Sequence, residues 1–137
     1  IISLYPSKDI KVLDFFAGSG TTGLAVLELN KEDFGDRTFV LCTNNEISIE
    51  KEKSYLISNN LIIGKNKKEL NLSYKEYIKT EEYKELQKEE SYLELGICRS
   101  ITYKRLESVI KGYKSYKNNN FVEGIQSNLK YLRVKVK

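Results

Sequence analysis

Histidine is absent from the 137 residues, which excludes Ser-His and Cys-His nucleophilic catalysis and any histidine-based metal site. Proline occurs once, at Pro6, so no motif that needs adjacent prolines can be present. Methionine is absent too, and a chain opening on Ile1 is therefore expected to be a piece of something longer. The two cysteines, Cys42 and Cys98, lie far apart without a C-x-x-C pairing, which excludes a zinc ribbon or a disulfide framework. Cys42 sits in an apolar run and reads as a small core residue. No stretch approaches the length of a membrane span and no signal peptide opens the chain, so a soluble, cytoplasmic setting is expected.

What is present is the material of one domain able to bury a sizeable core. Apolar residues make up 40% and charged residues 31%, too apolar for a disordered chain. Lys and Arg number 23 against 19 Asp and Glu, a net charge of +4 that is compatible with nucleic acid nearby without arguing for it.

Residues 1–5 are apolar and stop at Pro6, the tail of a helix or strand that starts upstream. Residues 10–17 are apolar on both faces apart from Lys11 and Asp14, the pattern of a strand buried in a parallel sheet. Gly18-Ser19-Gly20-Thr21-Thr22-Gly23 interrupts it. Residues 24–29 then read as a short buried helix with Thr21 or Thr22 as its N-cap. A polar turn over residues 31–37 leads to a second apolar run, 38–43, ending at Asn44-Asn45-Glu46. Residues 10–46 thus form one βαβ unit. Residues 50–94 are dense in Lys, Glu and Tyr and read as two or three solvated helices, a charged insertion whose Lys65–Lys68 run is an exposed face. In 97–137, Leu106, Val109, Ile110 and Tyr113 mark an amphipathic helix that ends near Gly112. Residues 117–124 read as a polar loop. Alternation of Leu132, Val134 and Val136 with basic residues predicts a last strand over 129–136.

The chemistry lies at the glycine turn. Gly18-x-Gly20-x-x-Gly23 follows a strand and opens a helix, so a ligand can approach the backbone and an anion can meet the free N–H groups of the helix start. A phosphate loop of the G-x-x-x-x-G-K-[ST] kind is excluded, since no Lys follows Gly23 and the Gly64-Lys65 pair has Asn59 in place of the first glycine. Two ligands fit the turn. A nicotinamide dinucleotide would set its pyrophosphate there, with Glu46 near the distance for gripping its ribose. S-adenosylmethionine would set its methionyl carboxylate there, its ammonium against a carboxylate and its ribose diol against Glu46. Asp14, late in the first strand, favours the second, because a pyrophosphate gains nothing from a carboxylate and a cationic amino acid does. The dinucleotide reading, as an oxidoreductase domain, stays open. So does a plain tight turn with Asp14 as a capping acid.

Asp14-Phe15-Phe16-Ala17-Gly18-Ser19-Gly20-Thr21-Thr22-Gly23 resembles the donor-binding motif of amino-group DNA methyltransferases, and most of all that of the modification (Mod) subunit of type III restriction-modification systems. Three further blocks in order resemble the same family. They are residues 39–46 with the ribose-binding acid, residues 96–105 at a helix start, and residues 124–131 leading into the last strand. The resemblance covers nearly the whole chain. It implies a partial Rossmann-like, S-adenosylmethionine-dependent methyltransferase fold, an α/β three-layer arrangement on a mostly parallel sheet, with the helical insertion. It implies that Asp14, Phe15, Ala17, Gly18, Gly20, Thr21 and Thr22 line the methionyl end of S-adenosylmethionine, with Glu46 on the ribose and Asn45 on the adenine or ribose edge. It implies double-stranded DNA as substrate with adenine N6 as target, a restriction (Res) subunit as partner, and a homodimer in the full-length enzyme. The Val134-Lys135-Val136 segment departs from the family, where an acid is common.

The family's Asp-Pro-Pro-Tyr motif, which polarises the amine and stacks on a flipped base, is ruled out by the single proline. No substitute acid-base pair or nucleophile is visible, so the chain alone is expected not to methylate. The rival to a donor-binding role is an interaction fragment in which residues 50–94, with Lys65–Lys68 and the basic residues from Lys130 on, dock a partner subunit or DNA. The free edge of the first strand is expected to associate with another chain.

Overall fold

The computed structural model describes residues 2–134. The chain forms two compact units, Ile1–Asn44 with Ile101–Lys137, and Asn45–Ser100.

In the first unit a 3-10 turn, Ile2–Leu4, precedes β1, Lys11–Asp14. β1 runs parallel to β2, Thr38–Leu41, in a register that sets Lys11 beside Thr38 and Asp14 beside Leu41. Parallel neighbours require a crossover, and α1, Thr21–Asp33, supplies it. Gly23, Val26 and Leu27 bury one stripe of α1. The helix is longer than its apolar core, 24–29, suggested, because polar residues at both ends continue it. Its end is held by a polar clamp. Asp33 accepts two hydrogen bonds from the Arg37 guanidinium, at 2.9 and 2.8 Å, and the Asn30 amide brackets the Arg37 backbone N–H and C=O at 3.0 and 2.8 Å. Arg37 is buried, and this pairing is what makes its burial tolerable. The clamp fixes where β2 starts, and with it the parallel register.

The same unit continues through α6, Lys104–Lys111, which buries Leu106 and ends at Gly112 with φ +86°. A hairpin follows, β3 Tyr113–Lys114 against β4 Phe121–Val122, with Tyr113 opposite Val122 and Lys114 opposite Phe121. The loop expected over 117–124 is therefore partly strand. Conversely, the strand expected over 129–136 does not form in its described part, 129–134; Leu132 and Val134 are exposed, and among the described residues no strand pairs with them. Alternation gave that segment an apolar face, and a strand also needs a ladder partner. The rest of it, with Lys135 and Val136, lies outside the described residues.

The second unit is helical: α2 Ile49–Ser58, α3 Lys67–Tyr77, α4 Glu81–Leu86 and α5 Glu90–Leu93. Three starts are capped as the sequence chemistry requires. Ser48 accepts from the Lys51 N–H, Asn66 from Lys68 and Glu69, and Thr80 from Tyr83. Its core is Leu56, Ile62, Tyr77, Leu86 and Tyr92. The helices are less solvated than their composition suggested, because the charge goes inward at one point. Glu52, 6% exposed, accepts hydrogen bonds from the phenols of Tyr74 at 2.6 Å, Tyr83 at 2.5 Å and Tyr92. Tyrosines in a charged stretch are thus core residues with a shared buried acceptor.

Candidate functional site

Asp14 ends β1 and turns its carboxylate toward the glycine bend. One oxygen accepts the Phe16 N–H at 2.9 Å and the other the Thr22 hydroxyl at 2.6 Å. Those two bonds, Thr22 first and Phe16 second, hold its pKa below the ordinary 3.8, so the group is ionised at neutral pH. Thr22 therefore serves Asp14 instead of capping the helix. The N-cap of α1 is Gly20 at φ +80°, without a side-chain cap, which leaves the first N–H groups of a 13-residue helix at the bend.

The three glycines differ in what surrounds them. A Cβ on Gly18, at φ +49°, would meet nothing closer than the Phe16 carbonyl at 3.8 Å, so this position is open. A Cβ on Gly20 would lie 2.9 Å from Thr102 Cγ2, and one on Gly23 would lie 3.0 Å from Leu41 Cδ1 and 3.2 Å from Leu106 Cδ1. Gly20 and Gly23 thus let α6, the residues just before it and β2 approach α1, and of the three only Gly18 leaves room for a ligand at the backbone. Ala17 is buried, its N–H bonded to the Cys42 carbonyl at 3.1 Å, while Phe15 and Thr21 are exposed. A shallow depression of ≈ 540 Å³ is lined by Thr21 and Thr22 beside Val12, and Asp14 is not part of its lining.

Residues from far along the chain complete the bend. The Thr102 hydroxyl donates to the Gly18 carbonyl at 2.5 Å, and the Arg105 guanidinium donates to Ser19 Oγ at 3.0 Å. Neither was singled out as a site residue by sequence reasoning. The only signal was their place in the block 96–105, which carried the resemblance without roles. Arg105 sets a cation at the start of α1, opposite in sign to Asp14.

Asn45 and Glu46 open the second unit. Asn45, at φ +55°, donates its amide N–H to the Leu93 carbonyl at 2.9 Å and accepts the Cys98 N–H at 3.0 Å, so its side chain is committed to tying that unit together. Glu46 is exposed, and its carbonyl accepts the Ile97 N–H at 2.9 Å. Among the described residues no group of His, Cys, Asp or Glu could hold a metal, and no helix is long and apolar enough to cross a membrane. Both cysteines are free thiols; burial pushes the Cys98 thiol up, against a weaker opposing effect of Arg99.

A comparison with protein families aligns residues 1–61 with a family described as DNA methylase. The bend, both strands and α1 lie inside that match. The first 61 residues match the DNA methylase family. Two curated proteins are similar to parts of the chain. The Mod subunit of the type III restriction-modification enzyme StyLTI from Salmonella typhimurium (strain LT2) is 67% identical over 43 residues, 31% of this chain and 7% of that protein. The Mod subunit of the type III enzyme EcoPI from Escherichia phage P1 is 36% identical over 75 residues, 55% of this chain and 12% of that protein. The likeness to type III Mod subunits read from the motifs is therefore real, and the chain spans about a tenth of those relatives' length. No solved structure matches.

Proposed function

We propose that this chain is the S-adenosylmethionine-binding portion of a DNA adenine-N6 methyltransferase, part of a type III Mod subunit with double-stranded DNA as substrate and a Res subunit as partner. The βαβ unit would be the donor half of a Rossmann-like three-layer fold. The observation that carries the reading is the Asp14 carboxylate, ionised and oriented by Thr22 and Phe16 at a bend where Gly18 leaves the backbone open. Each Asp14 oxygen keeps a lone pair for an ammonium hydrogen. The free N–H groups at the start of α1, and the Arg105 cation near them, suit the donor's carboxylate. A dinucleotide would bring its pyrophosphate up against Asp14, and the repulsion disfavours it.

When bound, the donor supplies an electrophilic methyl group, and this chain's residues bind and orient its amino-acid end. The family this chain resembles polarises the exocyclic amine with an Asp-Pro-Pro-Tyr type motif, and this sequence has only Pro6. Donor binding without methyl transfer is the expected behaviour of the isolated chain. Calorimetry with S-adenosylmethionine and S-adenosylhomocysteine tests it, with NADH as control. Heat for the first two, none for NADH and none for Asp14→Ala is expected. A folded sample giving heat with NADH alone would overturn the assignment.

A further inference from the structure

The positive charge of this protein is unevenly placed. Residues 104–137 hold nine of the 23 basic residues and two of the 19 acidic ones, a net +7, against −3 for the first 103. In the middle of that stretch the hairpin β3–β4 interleaves cations with aromatics: Tyr113, Lys114, Tyr116, Lys117 and Phe121, all exposed, Tyr116 fully so at the tip. The tip is ordered by its own backbone. The Ser115 N–H bonds the Asn120 carbonyl at 2.8 Å, and the Asn119 N–H bonds the Ser115 carbonyl at 3.0 Å with Asn119 at φ +58°. Its base is anchored on α6, where the Ile125 N–H bonds the Val109 carbonyl at 3.0 Å and Gly124 lies against the Ile110 carbonyl too tightly for any side chain. Lys111 is neutralised by Glu107 at 2.8 Å, but among the described residues Lys114 and Lys117 have no ion-pair partner.

Two lysines without an ion-pair partner among the described residues and a fully exposed ring, on a hydrogen-bonded hairpin, match one kind of partner. A polyanion attracts the lysines, and a ring that stands free offers a stacking face for an unpaired base. We propose that the hairpin tip binds a single-stranded stretch of DNA, with Lys114 and Lys117 on successive phosphates and Tyr116 stacked on a base. This deepens the DNA-modifying reading above, on which the choice of DNA as polymer rests.

Anisotropy of a labelled oligothymidine with the full chain tests it, beside an abasic strand and a duplex of equal length. Removing two phosphate contacts in Lys114→Ala/Lys117→Ala should lower the salt slope by about 1.4 and the affinity at low salt by about tenfold. Tyr116→Ala should cost roughly fivefold or more on the oligothymidine and nothing on the abasic strand, while Tyr116→Phe keeps the affinity. Equal binding by wild type and both alanine variants, no binding by the wild type, or tighter binding of the duplex than of the single strand would each overturn the proposal. The same variants should give unchanged heat with S-adenosylmethionine. Loss of donor binding in the wild type would sink the donor reading and leave the hairpin result standing.

Discussion

Two carboxylates in this chain are driven the same way by opposite surroundings. Asp14 is accessible, and hydrogen bonds from Thr22 and then Phe16 lower its pKa. In Glu52 burial is the largest single influence and raises the pKa, but the three phenols of Tyr74, Tyr83 and Tyr92 together outweigh it and the net shift is downward. For Asp14 the consequence concerns the ligand. Thr22→Val removes the stronger of its two bonds, so its pKa, followed by carboxyl NMR, should rise toward 3.8, and donor affinity should fall severalfold as the carboxylate loses its orientation. For Glu52 the consequence concerns stability. A folded-state pKa below the ordinary 4.5 means that its contribution is complete above that pH and is lost as pH falls through the lowered value. The phenols shift the other way. Burial first, and the Glu52 carboxylate second, raise Tyr74 and Tyr92 far above 10, so their contribution holds below pH 10 and erodes in stronger alkali. Glu52→Ala leaves three inward phenols without their acceptor and should cost about 3 kcal/mol in urea unfolding, while Glu52→Gln, which keeps one acceptor oxygen, should cost less. Equal losses for the two would mean that packing, and not the shared acceptor, holds the cluster.

At the scale of elements, the bend between β1 and α1 is where one sequence motif serves two purposes. Gly20→Ala places a methyl 2.9 Å from Thr102 Cγ2 at φ +80°, combining backbone strain with a clash, and should destabilise by about 2 kcal/mol. Gly18→Ala carries strain at φ +49° without the clash and should cost about 1 kcal/mol, yet it should impair donor binding more, because its Cβ occupies the open space. Thermal unfolding beside calorimetry separates the two effects. This division of labour could not be read from the spacing of Gly18, Gly20 and Gly23, since it depends on Thr102 and Leu106, which arrive from far along the chain. The βαβ order was legible because apolar runs and a glycine break are local signals; β1 and β2 fall inside residues 10–17 and 38–43. The amphipathic stripe was legible for the same reason, and α6 carries its Leu106, Val109 and Ile110, while Tyr113 falls past Gly112 in β3. The role of Thr22 was hidden because a threonine at a helix start reads as a cap, and only the three-dimensional turn of Asp14 claims its hydroxyl. The strand expected over 129–136 failed in its described part because alternation specifies a face and says nothing of a pairing partner.

For the molecule as a whole, the largest departure from expectation is the exposure of the first strand. Its pattern was that of a strand covered on both faces, yet Leu13 is 55% exposed, and Phe15, Phe16 and Val40 stand exposed beside it. The cause is the size of the sheet: among the described residues β1 pairs with β2 alone, so one edge keeps its backbone groups unsatisfied and one face has no covering layer. Burying Leu13, Phe15, Phe16 and Val40 would contribute about 2 kcal/mol each. Association costs ~4–15 kcal/mol in lost rigid-body freedom, so these side chains alone support only weak pairing, and backbone bonds along the β1 edge would have to add to it. Sedimentation velocity across a concentration series should therefore show a coefficient that rises with concentration, moving toward a dimer. Leu13→Lys with Val40→Lys charges the open face while leaving the edge intact, and should abolish that rise without lowering the helical content. Persistence of the rise in this variant would assign association to the edge, and Lys11→Pro should then remove it, because Ile10 and Asp14 bond toward β2 and the N–H of Lys11 between them faces the open edge. A concentration-independent monomer in the unmodified chain would mean that the exposed face and edge carry too little free energy to recruit a second copy, leaving the uncovered strand a property of this segment alone.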